Sequence, residues 1–264
     1  MKSRRLLSLT ALAVLTVAAF APGAGANNSW GSFHWARTAN PFTLKVGDNV
    51  GSAWDSTLNT TVSDWTESTV LDLSKVTGQA TTKRCRATSG RVEVCAANYG
   101  YNQWLGIAQI WATGNHITKG SVKMNDSYFN TSTYNTTAWR NLVMCQEVGH
   151  ILGLGHQDEI FDNPNLGTCM DYTNNPGTNQ HPNQHDYDQL ETIYTHLDSF
   201  TTLDTSSGAA TPAAADDETP GSWGRAIRTT DDGTPIVFVR ELGAGQRLFT
   251  FVVWTVEAHQ AGVR

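Results

Sequence analysis

The chain from residue 145 to residue 156 reads CQEVGHILGLGH and holds the residue types of a metal-dependent hydrolytic site. Side chains four residues apart on a helix point the same way, so Gln146 and His150 can approach one ion. Glu147 lies one step round the helix, where its carboxylate can act on a water molecule beside that ion. This spacing predicts metal-assisted hydrolysis, with Gln146 and His150 as ligands and Glu147 as the proton acceptor.

A third ligand follows a glycine-containing turn. Gly153 and Gly155 are expected to end the helix and to let the chain reverse. The turn can bring His156 back to the ion, which gives three protein ligands and one position for water, the arrangement of a catalytic zinc site. Without a metal, Gln146 and His150 would be hydrogen-bonded core groups and His156 a surface histidine. The coincidence of these residue types at fixed spacing favours the metal site.

A helix must hold these side chains, and the sequence predicts one that begins near Thr136 and Thr137, which can cap it. Its buried stripe follows helical spacing and directs the two polar ligands toward the core. The stripe consists of Trp139, Leu142, Val143, Gln146 and His150.

Further elements are predicted on both sides of this helix from apolar alternation and periodicity. The predicted strands are 42–46, 70–76, 105–111 and 120–125, and the predicted helices are 53–69 and 185–194.

These residues together resemble the metzincin clan of zinc metallopeptidases, whose long signature reads HExxHxxGxxH. Met170-Asp171-Tyr172 resembles the clan's Met-turn, in the variant of astacins and serralysins. The resemblance implies an α+β fold over residues 27–200, with a twisted mixed sheet, an active-site helix and a Met-turn. It also implies that the strand at 105–111 lies at the edge of the sheet and pairs with an extended substrate peptide.

The resemblance assigns a role to each matching position. It implies Zn²⁺ as the cofactor and Glu147 as the general base that takes a proton from the metal-bound water. His150 and His156 would be zinc ligands, and Met170 would lie beneath the metal. Tyr172 would donate a hydrogen bond in the transition state or act as a displaceable ligand.

Gln146 is the departure from the clan's pattern, because an imidazole is expected at that position. Its amide oxygen can complete a three-ligand site, but oxygen suits zinc less well than imidazole nitrogen, so we expect weaker metal retention. His181 or His185 is an alternative third ligand. The separate helix predicted at 185–194 argues against it.

Residues 1–26 have the three regions of a secretory signal peptide, namely a basic start, an apolar run and a small-residue end at Ala26. The apolar run is short for a membrane span, so a secreted, extracellular protein without a membrane partner is expected. The full chain has a net charge of −6, and removal of Lys2, Arg4 and Arg5 makes it more acidic. This balance argues against a nucleic-acid partner.

Four cysteines in an exported chain predict two disulfides. We favour Cys85–Cys95, because Ser89 and Gly90 can turn the chain between them. Cys145–Cys169 would then tie the active-site helix to the Met-turn. Ligation of the metal by Cys145 or Cys169 is the functional alternative.

The C-terminal part of the chain differs in composition from the rest. Residues 201–221 are rich in Thr, Ser, Ala, Pro and Asp and are predicted to form a flexible linker. Residues 222–264 contain apolar runs at 235–241 and 246–254, which predict a β-hairpin appendage. Because two strands alone are marginally stable, the hairpin is expected to dock on the catalytic domain or on a partner.

The sequence therefore predicts a secreted, monomeric zinc metalloendopeptidase that acts on a protein or peptide. The alternative is a catalytically silent zincin-fold module that binds a peptide without cutting it. Glu147 favours catalysis, because a binding module needs no carboxylate beside the metal.

Overall fold

The computed structural model describes residues 27–205 and 220–263, which form nine strands and five α-helices. The predicted signal peptide and most of the predicted linker lie outside these residues. The strands are β1 (His34–Trp35), β2 (Phe42–Asn49), β3 (Leu71–Thr77), β4 (Val92–Ala97), β5 (Trp104–Thr113), β6 (His116–Asn125), β7 (Arg225–Thr229), β8 (Pro235–Gly243) and β9 (Gln246–Trp254). The helices are α1 (Asp55–Thr66), α2 (Asp126–Phe129), α3 (Thr137–Ile151), α4 (Gln184–Ile193) and α5 (Val256–Ala261).

All the strands belong to one mixed sheet, in the order β3-β2-β4-β6-β5-β9-β8-β7, with β1 paired to β6. The pairs β2–β3, β2–β4, β4–β6 and β1–β6 are parallel. The pairs β5–β6, β5–β9, β8–β9 and β7–β8 are antiparallel. The predicted α+β class and mixed sheet are therefore confirmed.

The expectation that strand 105–111 lies at the sheet edge is wrong. This segment is β5, and β9 pairs with it antiparallel from Trp104 opposite Trp254 to Thr113 opposite Gln246. Apolar side chains of β8 and β9 are buried in the same core as those of the first six strands. A hairpin gains stability by extending a larger sheet, which explains why β5 is covered. The C-terminal segment is thus part of the sheet rather than an appendage.

The helix α3 lies against β5 and β6 and begins as the sequence predicts. The side chain of Thr136 accepts a hydrogen bond from the Trp139 backbone N–H at 3.2 Å, which caps the helix. Gly106 on β5 allows a close approach, since a Cβ there would lie 2.5 Å from Cγ1 of Val143. The Trp65 indole of α1 donates to the Cys145 carbonyl at 3.1 Å. Helix α3 is therefore held between α1 and the sheet.

Both predicted cysteine pairs are present. Cys85–Cys95 spans 10 residues, with an S–S distance of 2.08 Å, and Cys145–Cys169 spans 24 residues, with an S–S distance of 1.95 Å. No described cysteine is free to act as a thiolate ligand. Within the described part of the chain, no helix has the length and apolar character needed to cross a membrane.

Removal of the Cys145–Cys169 bridge by paired serine substitutions should lower the free energy of unfolding by about 2–5 kcal/mol. Paired serine substitutions of Cys85 and Cys95 provide the control. The loop-closure model makes the first loss about 0.8 kcal/mol larger, because the loop is 24 rather than 10 residues long. Urea unfolding of the three proteins measures both losses. An unchanged stability after either double substitution would contradict the prediction.

Candidate functional site

Three predicted site residues lie on one buried face of α3. Gln146 and His150 are each 1% exposed, and Glu147 is fully buried. His156 follows the helix, and its ring centroid lies 4.7 Å from that of His150. The ring of Tyr172 lies 5.3 Å from that of His156. The fold thus gathers His150, His156 and Tyr172 beside the face of α3 that carries Gln146 and Glu147.

The turn after α3 positions His156. Gly153 has a φ of 103°, which favours glycine, and a Cβ there would lie 2.8 Å from the Phe33 carbonyl oxygen. The Leu154 backbone N–H donates to the Gly149 carbonyl at 3.2 Å. The predicted glycine turn therefore returns the chain toward the helix and places the second imidazole next to the first.

The His150 ring is held in a fixed tautomer. Its Nδ1 donates to the Leu154 carbonyl oxygen at 2.8 Å, and this type of bond commonly orients metal-binding histidines. Burial, together with the neighbouring His156, holds the pKa of His150 well below its usual range. His150 is therefore neutral, and its Nε2 carries the lone pair that a metal ion requires.

Two polar atoms around this point are buried without a hydrogen-bond partner among the described residues. They are Nε2 of Gln146 and Nε2 of His156. An unpartnered buried polar group costs about 1–3 kcal/mol. The terminal O and N of a glutamine amide are interchangeable by rotation, so Gln146 can turn its oxygen to a cation. The residues therefore fit a zinc ion bound by Gln146, His150 and His156.

Burial favours the protonated form of Glu147. Burial raises the pKa of Glu147 well above its usual range, and the backbone amides of Val253 and Ala108 offset the effect only in part. Gly106 leaves room for the carboxyl group, since a Cβ there would lie 2.8 Å from Oε1 of Glu147. A protonated carboxyl cannot accept a proton, so Glu147 needs a more polar environment to act as a base.

Met170 packs directly against α3. A Cβ on Gly149 would lie 2.5 Å from Sδ of Met170 and 2.8 Å from Cζ2 of Trp65. The adjacent Cys145–Cys169 bridge joins this segment covalently to the helix. The packing explains why glycine stands next to His150, and it places Met170 against α3 beside that residue.

The Tyr172 hydroxyl is engaged by the C-terminal strand β9. Its oxygen accepts a hydrogen bond from the Trp254 backbone N–H at 3.2 Å. The side chain is almost fully buried, and burial raises the pKa of Tyr172. Tyr172 is thus close to His156, as expected, but its hydroxyl is directed to β9.

The sequence did not reveal three residues that complete the site. Phe251 of β9 stacks on His150 with centroids 4.2 Å apart and planes 21° apart. Nδ1 of His156 lies 3.4 Å from Oε1 of Glu159, which Nε of Arg228 approaches at 2.6 Å. The position of Glu159 three residues after His156 is a local signal. Phe251 and Arg228 come from distant strands, and no local pattern identifies them.

No family model matches this chain, and no curated protein matches its sequence. The chemistry of the site therefore rests on the geometry of its own residues.

Substitution at position 146 should set the order of zinc affinity. Gln146→His should bind zinc more tightly than the wild type, because imidazole nitrogen is the better ligand, and Gln146→Ala should bind more weakly. Competition with a zinc-binding dye during a chelator titration measures the order. Comparing variants at one position cancels any zinc bound elsewhere in the chain. Equal affinities for the wild type and Gln146→Ala would mean that residue 146 does not contact the ion.

Proposed function

We propose that this chain is a secreted zinc metalloendopeptidase, related to the metzincins, that hydrolyses peptide bonds in a protein or peptide. The carrying observation is the pair of buried polar atoms without partners on Gln146 and His156, beside the neutral ring of His150. A bound cation offsets the cost of their burial. The two disulfides are typical of an oxidising compartment and support export.

The roles of the residues follow from their chemistry. Zinc held by Gln146, His150 and His156 would supply Lewis acidity at the scissile carbonyl. Glu147 takes the proton of the attacking water and passes it to the leaving amine. The Tyr172 hydroxyl donates a hydrogen bond to the oxygen on which negative charge develops.

Substrate access requires a change in the C-terminal segment. Strand β9 runs antiparallel along β5, which is how an extended peptide adds to a sheet edge. It also covers His150 with Phe251 and binds the Tyr172 hydroxyl through Trp254. We infer that the described arrangement is a closed state, in which β9 occupies the position of the substrate. Release of β9 hydrates Glu147 and frees Tyr172.

The alternative function is a catalytically silent zincin-fold module that binds a peptide. Two observations favour it, namely the amide at position 146 and the complete burial of Glu147. Its own hairpin would then be the bound peptide. The two functions differ in whether the opened chain cuts peptides.

Phe251→Ala should activate the chain by weakening the cover over His150. Truncation of a buried phenylalanine costs about 3–5 kcal/mol. Each 1.4 kcal/mol by which the closed state is destabilised relative to the open state raises the open fraction about tenfold. We expect zinc-dependent cleavage of a peptide library at least about tenfold faster than in the wild type. Mass spectrometry of the products gives the rate.

The matched control is Phe238→Ala. Phe238 packs on Trp223, with ring centroids 5.1 Å apart, and both residues lie in the C-terminal segment. This truncation should destabilise the segment internally without uncovering His150. Equal activation by both substitutions would contradict a specific role for Phe251.

Adding Glu147→Gln to the Phe251→Ala chain should lower cleavage by at least about a hundredfold, the usual scale of general acid–base assistance. Zinc binding should persist, since Glu147 is not a ligand. Unchanged cleavage would exclude Glu147 as the base. If the zinc-loaded Phe251→Ala chain cuts no peptide of a diverse library, the silent binding module is the correct function.

A further inference from the structure

A second cluster of potential metal ligands lies where β1, the start of β6 and the segment after α4 meet. The ligand atoms of His34, His116 and Asp198 all lie within 4.8 Å of one another. Oδ1 of Asp198 lies 3.5 Å from Nε2 of His34 and 3.2 Å from Nε2 of His116. His196 contributes another nitrogen, 3.1 Å from Nε2 of His34 and 3.8 Å from Oδ1 of Asp198. This cluster shares no residue with the site on α3.

The spacing of these atoms suits a tetrahedral zinc ion. Ligands at about 2.0–2.1 Å from zinc lie roughly 3.3–3.4 Å from each other in a tetrahedron. Four of the six separations, 3.1, 3.2, 3.5 and 3.8 Å, lie on both sides of that value. Small side-chain movements would therefore bring the four atoms to bonding distance of one ion.

The orientation of the buried ligand His34 is also that of a metal ligand. Nδ1 of His34 lies 2.8 Å from the Ser32 carbonyl oxygen, which can only accept a hydrogen bond, so Nδ1 carries the proton. In the neutral ring, the Nε2 lone pair then faces the cluster. Bonds of this kind fix the tautomer in metal-binding histidines.

Asp198 is oriented by Arg37, which is 1% exposed. The Arg37 backbone N–H and Nη1 bind Oδ2 of Asp198 at 3.1 and 2.9 Å, so Oδ1 is directed to the imidazoles. Because Arg37 offsets the carboxylate charge, we expect weaker zinc binding than in a thiolate site.

Two acceptor atoms of this cluster lie side by side. With a proton on Nδ1, the neutral His34 ring offers only an acceptor at Nε2, and Oδ1 of Asp198 is also an acceptor. These two acceptors lie 3.5 Å apart. Nε2 of His196 and Nε2 of His116 can each donate a proton to one of these acceptors, and a cation between them would satisfy both at once.

We propose that His34, His116 and Asp198 bind a second, structural zinc ion, and that His196 completes the tetrahedron. The His196 side chain is 53% exposed, so it closes the site from the surface. A cavity of about 390 Å³ beside His34, Asn115 and His196 provides the entry path. Four protein ligands leave no open position, which is the character of a structural rather than a catalytic site. The ion would join chain segments that no disulfide links.

The test uses the full secreted chain, freed of metal with a chelator and then titrated with zinc. The wild type should bind one zinc ion per chain more than His116→Gln does. In His116→Gln, the zinc affinity of the His34 cluster should fall more than about a hundredfold. Loss of even a residue that only supports a ligand costs about 10–100-fold, and His116 is a direct ligand. Zinc should also raise the Tm of the wild type more than that of the variant. This difference is independent of the site on α3, so failure of one site is distinguishable from failure of the other.

His181→Gln is the matched control, since it makes the same substitution at an exposed histidine that binds Asp64. It should retain the wild-type stoichiometry. His196→Gln, on the exposed rim, tests the cluster without disturbing buried packing and should weaken zinc binding. Circular dichroism verifies that each variant is folded. Equal zinc stoichiometry and equal zinc-induced Tm shifts in the wild type, His116→Gln and His196→Gln would overturn the proposal and leave a hydrogen-bonded network.

Discussion

Antiparallel hydrogen bonds between β5 and β9 hold the C-terminal segment over the face of α3 that carries Glu147 and His150. The same pairing joins the apolar side chains of β8 and β9 to the main core. The pairing of β9 with β5 therefore stabilises the sheet and also covers the polar side chains on the buried face of α3. The properties of each site residue follow from this cover. Burial raises the pKa of Glu147, His150 lies under an aromatic ring, and the Tyr172 hydroxyl is bound.

A buried amide in place of an imidazole alters the balance of this site. In the proposed zinc site, Gln146 would be a neutral oxygen ligand, and the ion would keep nearly the charge that an imidazole would leave. The loss would fall on metal affinity rather than on the acidity that the ion imparts to water. Enclosure by β9 and the Cys145–Cys169 bridge limit the movement of these side chains. A rigid, enclosed site can compensate in part for a weaker ligand.

Distant segments of the chain are joined by several kinds of link. The disulfides connect β4 to the loop before it and α3 to the Met170 segment. The cluster of His34, His116 and Asp198 joins segments near the beginning and the end of residues 27–205. Arg37 binds Asp198 and the carbonyl oxygens of Tyr194 and His196 at that junction. Charged and polar groups thus hold together the two ends of residues 27–205.

Local signals in the sequence predicted α1, α3, α4 and the strands β2, β3, β5, β6, β8 and β9, but not β1, β4, β7, α2 or α5. They also placed Gln146, Glu147 and His150 together on α3. The cap at Thr136, the spacing of Gln146 and His150, and the glycine turn before His156 each depend on residues within a few positions of one another. Such short-range rules act before the chain folds, so α3, its turn and the disulfide partners agree with the structure.

The tertiary structure alone decided which strand covers β5 and what surrounds the site. Phe251 reaches His150 only because β9 pairs along β5 in one register, and no nearby residue encodes that pairing. The cluster of His34, His116 and Asp198 is assembled from three separate segments, each of which carries an unremarkable histidine or aspartate. Strand order is set by burial of apolar surface summed over the whole sheet. That sum cannot be evaluated from any single stretch of the chain, which is why both features were invisible until the fold was known.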